Sequence, residues 1–176
     1  MAKWFIDHGW ACGWCFLTRD GMRSGVFDSR KGNPTDGARL LAMTDWWTAE
    51  LAKLTAAGEK LTEIVYERVT FVGKNDADTV HAHGKQLGNL QRWAALKRQP
   101  EPFGIEVRVI KKHVTGGHGS ASRQTVLDLV RKAMPEVTDH NQASAVAIML
   151  TATNKKLPQP ASPSNARKAA QGNASG

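Results

Sequence analysis

Asp7 and Glu67 are the residues whose type and position in this 176-residue chain most directly suggest chemistry. Asp7 closes the apolar run Lys3-Trp4-Phe5-Ile6. Glu67 closes Thr62-Glu63-Ile64-Val65-Tyr66, a run rich in β-branched and aromatic residues. Both runs read as strands, so each acid stands at a strand end. Were the two strands neighbours in a sheet, the carboxylates would share one edge and repel. Such a pair normally needs a shared cation to stay ionised. A set of oxygen donors suits Mg²⁺, with Mn²⁺ as the alternative. Ions held this way can clamp the attacking water and the leaving oxygen of a phosphodiester. The plainer reading makes each acid a solvated strand end, and spacing alone leaves both readings open.

A second constellation is basic. The net charge is +8, and residues 85–132 hold ten basic side chains against three acidic ones. Within them lies the loop Thr115-Gly116-Gly117-His118-Gly119-Ser120. Its glycines allow the backbone to approach a phosphate, and the helix expected after it offers free N–H groups. It lacks the Walker spacing. Lys111, Lys112, Arg123, Arg131 and Lys132 flank the loop and suit salt-dependent phosphate contacts. A basic stretch of this kind fits a polyanion binder, although solubility alone also accounts for surplus charge.

Two further groupings carry less. Cys12 and Cys15 form a C-x-x-C between strand-like segments, with no second pair to complete a zinc site and no helix opening to make a redox motif. They read as reduced cysteines in or near a hairpin. His81, His83, His113 and His118 lack evident partners for tetrahedral closure.

The positioning elements follow from periodicity and punctuation. Residues 3–6, 14–17 and 22–27 read as a β-meander, with Asp20-Gly21 as a turn. Leu40, Leu41, Met43, Trp47, Leu51 and Leu54 predict a helix over about 35–57, closed by Gly58. A fourth strand at 62–67 precedes a helix at about 76–98. The alternation of Ile105 to Ile110 predicts a fifth strand. Helices are expected at about 121–134 and 139–153. The order β-β-β-α-β-α-β-α-α predicts an α/β fold, a mixed five-stranded sheet with helices on both faces. Residues 1–154 are expected to form one domain, and 155–176, with four basic and no acidic residues, a disordered basic tail. No apolar run is long enough for a membrane span, and no signal peptide is read, so a cytoplasmic location is expected, and no membrane partner.

Four segments together resemble the RuvC-type Holliday junction resolvases of the RNase H-like, retroviral-integrase superfamily, most closely their bacteriophage-type members. Ile6-Asp7-His8-Gly9 through Gly13-Trp14 resembles the opening motif. Tyr66-Glu67-Arg68-Val69-Thr70-Phe71-Val72-Gly73-Lys74-Asn75 is similar to the second motif. Residues 110–124 are similar to the family's basic Gly-rich loop, and Asp139-His140-Asn141-Gln142-Ala143-Ser144-Ala145 to its closing helix. The resemblance spans residues 3–153 in order. It implies an RNase H-like fold and a homodimer making paired cuts in branched DNA, in the host cytoplasm if the chain is phage-encoded. It implies that Asp7 and Glu67 are the first two metal-binding acids. It also implies that Lys112 and Arg123 meet DNA, beside the further candidate DNA contacts Lys111, Lys74, Gly117 and Gly119, and that Phe71 unstacks bases at the junction centre, although Phe71 reads equally as a core residue.

The closing helix departs from the pattern. The family's last two acids fall on Asn141 and Ser144, weaker oxygen donors than carboxylates. His140 is a candidate substitute. Asp139, at the helix start where anions are favoured, is a candidate third catalytic carboxylate, an N-cap, or both. The expected activity is Mg²⁺-dependent endonucleolytic cutting of four-way junctions. The rival expectations are a junction-binding protein that no longer cuts and an RNase H-like nuclease with another substrate. Trp93, Leu87, Leu90 and Leu96 on the second helix read either as core or as part of a dimer face.

Overall fold

The computed structural model describes residues 1–69 and 77–157, apart from the side chains of 77–79. Phe71, Lys74 and the tail from residue 158 lie outside the described residues. Three strands form the expected meander: β1 (Ala2–Asp7), β2 (Ala11–Thr18) and β3 (Gly21–Asp28). They are followed by α1 (Asp36–Ala56), β4 (Leu61–Arg68), α2 (Ala77–Leu96) and β5 (Phe103–Glu106). Three helices close the chain: α3 (Val107–Thr115), α4 (Arg123–Ala133) and α5 (His140–Ala152).

The sheet order is β3-β2-β1-β4-β5. β1 pairs antiparallel with β2 and parallel with β4, and β5 adds parallel to β4. Period-2 alternation then divides the side chains between two cores. Trp4, Ile6, Phe16, Ile64 and Tyr66 pack with Met43, Trp47, Leu90 and Trp93 of α1 and α2. Phe5, Cys15 and Val65 pack on the other face with residues of α3, α4 and α5. Asp7 shares parity with Phe5, and Glu67 with Val65, so both acids are directed to the α5 face. Cys12 and Cys15 are buried, free and assigned to opposite cores.

One element differs from expectation. The predicted strand over 105–110 is a four-residue strand, 103–106, running into the helix α3. Ile110 and Val114 are buried one helical turn apart against α4 and α5, whereas Val109, assigned by alternation to a strand face, is 48% exposed. Tertiary burial at spacing four overrides local β-propensity here. Gly116, with φ 72°, ends the helix in the left-handed conformation.

On α2, Trp93 and Leu90 are core residues and Leu87 packs against that core, while Leu96 is exposed. Trp93 donates from Nε1 to Thr48 Oγ1 (3.1 Å), and Asn89 donates to the Leu40 carbonyl (3.0 Å), pinning α2 to α1. Leu157 packs against the core, and the Lys155 carbonyl meets His113 Nε2 (2.8 Å). Among the described residues, no helix is long and apolar enough to cross a membrane.

The α5 helix is buried along most of its length. Ala143 and every residue from Ala145 to Leu150 are covered. Its first turn crosses β2 at Gly13, where a Cβ would overlap the Asn141 carbonyl. Glycine in this strand marks a close backbone approach. Gly13→Ala is therefore expected to destabilise the fold by roughly 3 kcal/mol, the upper range for overpacking, because both clashing groups are backbone or its first carbon. Urea unfolding compared with the parent chain measures it; an unchanged midpoint would contradict this packing.

Candidate active site

The parallel register of β1 and β4 creates the site. Ile6 pairs with Tyr66, so the next residues, Asp7 and Glu67, emerge together at the strands' carboxyl ends. Asp7 also pairs with Gly13, the residue under α5, so the same register brings the α5 N-terminus over the acids. Asp139 caps that helix by accepting from Asn141 N (2.7 Å) and Gln142 N (3.3 Å). Gln142 in turn donates to Ser24 Oγ on β3 (3.1 Å), and the Arg131 guanidinium donates to the Thr138 carbonyl (2.9 Å). Arg131, one of the basic residues read as a phosphate contact, is thus engaged in holding the loop before α5.

The electrostatics are those of a crowded acid pair. Burial, then the charge of Glu67, pushes Asp7 up to about 7; Asp139 adds to the rise, while Arg123 and the Ser144 hydroxyl oppose it. Glu67 is also raised by burial, against the pull of Arg123 and Lys111. Two acids in this state hold a proton that a divalent cation would displace.

A cavity of about 280 Å³ opens beside the pair. Glu67, Ser144, Lys111, Arg123 and His83 supply its polar wall, with Val107, Ile110, Val126 and Ala147 behind them. His83 belongs to α2, whose helix packs on the opposite face of the sheet, so the cavity is walled from both faces over the strand ends. The ring of His8, the residue after Asp7, lies 6.1 Å from that of His83 and 4.9 Å from that of Tyr66. A second cavity of about 750 Å³ shares Val69 and Val107 with the first. Arg108, Lys112, Glu106 and the segment Gly117–Ser120 line it. Gly119 lies against Arg108 and Lys112, where a Cβ would be crowded to 2.8 Å from Arg108 Cγ.

The candidate residues are therefore distributed unevenly. Asp7, Glu67, Asp139 and Ser144 come together; Asn141 contributes its backbone at Gly13; His140 is exposed at the first position of α5. Lys111 and Arg123 face Glu67, whereas Lys112, Gly117 and Gly119 line the adjoining cavity. His83 was legible only as one of four histidines, and those four do not converge. Among the described residues, no three His, Cys, Asp or Glu side chains are grouped to hold a metal ion. The donor set that fits a hard divalent cation is the Asp7–Glu67 pair completed by water, the sparse protein coordination that Mg²⁺ tolerates.

A five-stranded mixed sheet of this order, with helices on both faces, gives the chain an RNase H-like α/β fold. Its particular form is the RuvC-type fold. RuvC from Thermus thermophilus superposes with a TM-score of 0.57 at 18% identity. T. thermophilus RuvC in complex with a Holliday junction substrate superposes at 0.62 with 20% identity. Each comparison covers 86% of this chain and 92% of the other. No protein-family model and no curated protein sequence matches the chain.

The acid pair makes stability depend on pH. The folded protein binds the Asp7 proton more tightly than the unfolded chain, whose aspartate sits near 3.8. Without metal, the contribution of Asp7 to stability is therefore fully present below about pH 4 and is lost as the pH rises toward 7. In a chelating buffer at pH 8, Asp7→Asn is expected to melt on the order of 5–10 °C above the parent, with the gap closing near pH 4. Mg²⁺ or Mn²⁺ should raise the melting temperature of the parent only. Thermal melts across this range decide the matter, and a variant that melts lower at pH 8 would refute the strained pair.

Proposed function

We propose that this protein is a structure-selective DNA endonuclease that cuts Holliday junctions and related branched DNA by Mg²⁺-dependent hydrolysis of phosphodiesters. The observation that carries the reading is the pair of buried Asp7 and half-buried Glu67 with Lys111 and Arg123 beside it. The RuvC-type fold supports it, since one of the similar structures is RuvC in complex with a Holliday junction substrate.

Asp7 and Glu67 would hold the ion, with Ser144 and the Asp139 carboxylate at the margin of the same group. A bound divalent cation supplies an activated water and stabilises the leaving oxygen. The chain's own residues do the rest. Arg123 and Lys111 draw the scissile phosphate against the acids, a point charge from lysine and a planar fork from arginine. Arg108 and Lys112, one turn apart on α3, face the Gly117–Ser120 segment and take a neighbouring phosphate of the same strand. Asp139 fixes the α5 N-terminus, so the acids and Ser144 keep one geometry. Paired cuts on two strands call for a two-fold dimer.

A second reading has its own observation. Asn141 and Ser144 stand where the resemblance expects acids, which supports a junction binder with little cutting activity. Incubation of radiolabelled four-way junction and matched linear duplex with Mg²⁺ or Mn²⁺ separates the two. The junction should be nicked at least 100-fold faster than the duplex, and Asp7→Asn should abolish nicking while binding persists. Junction binding without any nicking by the parent chain supports the second reading. Lys112→Ala should weaken junction binding several-fold and reduce the salt slope by about one, read by fluorescence anisotropy at several salt concentrations.

A further inference from the structure

The cavity of about 750 Å³ beside the acid pair holds a group that the proposed chemistry leaves without a task. Its cations, Arg108 and Lys112, take phosphate, and Gly117 and Gly119 let that phosphate come close to the backbone. Glu106 lines the same wall. A carboxylate there repels phosphate, so phosphate binding alone does not account for it. Helix capping does not account for it either. Glu106 is the N-cap residue of α3, but its side chain makes no capping hydrogen bond.

The fold holds that carboxylate in place. Glu106 ends β5 and pairs with Arg68 of β4 in the parallel register. The Arg68 guanidinium donates to Glu106 Oε1 (2.8 Å). Gly104, two residues earlier, leaves the room this needs: a Cβ there would stand 2.8 Å from Arg68 Cβ and from the Tyr66 ring. The two side chains are 55% and 46% exposed, so their pairing adds little stability and serves mainly to orient the carboxylate. A carboxylate has two oxygens with about four lone-pair sites, and one guanidinium contact leaves it able to accept from a further donor. Val69 and Val107 supply apolar surface, and both also line the cavity over Glu67, so the two spaces adjoin.

Apolar surface, a clamp of two cations and one oriented acceptor make the layout of a nucleotide pocket, and the volume lies within the range of about 300–1,000 Å³ that such pockets span. We propose that this cavity takes the unstacked base of a nucleotide next to the scissile phosphate, and that Glu106 selects cytosine there by accepting a hydrogen bond from its 4-amino group. The proposal rests on the endonuclease reading and deepens it by giving the cut a base preference. Along its major-groove edge cytosine presents a donor, which a carboxylate accepts. Thymine presents the acceptor O4, which a carboxylate repels, and adenine sets the acceptor N7 beside its amino group and so suits an amide better. Extrusion of a base costs least where pairing is already broken, as beside a branch point. Arg68 is a positioning residue that acts through Glu106.

The test uses the full chain and immobile four-way junctions that differ only in the base at the nucleotides beside the branch. Single-turnover nicking in Mn²⁺ should be about tenfold faster with cytosine than with thymine at one of these positions, the effect of one base-edge contact. Pyrimidin-2-one, which is cytosine without the 4-amino group, should lose the same tenfold. In Glu106→Ala the three bases should give rates within about twofold of one another, and in Arg68→Ala the discrimination should shrink without vanishing. Equal rates for cytosine and pyrimidin-2-one in the parent overturn the proposal. So does a Glu106→Ala variant that keeps the cytosine preference, whatever its absolute rate, because a merely structural pair with Arg68 moves all bases alike. A parent chain that binds junctions without nicking them overturns the endonuclease reading separately. The base preference is then read from affinities by anisotropy in Ca²⁺: tighter binding of the cytosine junction, lost in Glu106→Ala, upholds it, and equal binding overturns it.

Discussion

Two carboxylates on adjacent parallel strands, both withdrawn from water and facing the same side of the sheet, are the constraint that organises this molecule. Burial and mutual repulsion each raise the cost of charging Asp7. Nothing in the fold removes that cost; the surroundings distribute it. Arg123 acts on both acids and Lys111 on Glu67, from two different helices, so α3 and α4 must stand at fixed height above the β4 end. The core formed by Ile110, Val114, Val126 and Val130 against α5 sets that height. Destabilisation at the acids is thus sustained by apolar burial a few residues away, a common arrangement where a site must exist before its ligand does.

The α5 helix links the two. Because its Asn141 backbone passes over Gly13, which has no Cβ, it lies close to the sheet at the point where Asp7 emerges. Its cap residue, Asp139, adds a third negative charge near Asp7, and Ser144, one turn further on, offsets part of it. The hydrogen bonds of Gln142 to Ser24 and of Arg131 to the preceding loop keep the helix start from moving away from these charges. Without those ties, repulsion between Asp139 and Asp7 would favour a shift of the helix, which has little else polar to hold it.

How much of this was readable in the sequence depended on whether a feature is local. Asp7 and Glu67 were legible because a strand end is marked by where an apolar run stops. Their common face follows from period-2 parity with Phe5 and Val65. The capping role of Asp139 follows from its type and place. The α3 helix was not legible: residues 105–110 alternate like a strand, and only burial of Ile110 and Val114 against helices distant in sequence makes them helical. Nor was the separation of Lys111 from Lys112 into different cavities, which depends on that same helix having a 100° turn per residue where a strand would have 180°. His83 was hidden for a different reason. Its companions in the cavity come from β4, α3, α4 and α5, and no spacing within one segment encodes their meeting. The signal available was its face on α2, three residues from the buried Gln86 and seven from the buried Leu90.

The replacement of two expected acids by Asn141 and Ser144 changes the charge balance of the site rather than merely weakening it. A site with four carboxylates would attract cations strongly and repel the phosphate until they arrive. Here two acids that hold a proton between them before any ion binds face two basic side chains, with Asp139 adding a negative charge nearby. Under the proposed endonuclease reading, more of the charge on a bound phosphate would fall to Lys111 and Arg123, which must be pre-organised to be effective. Their placement on packed helices with buried apolar seams, α3 through Ile110 and α4 through Val126, meets that demand in a way that mobile loop residues would not.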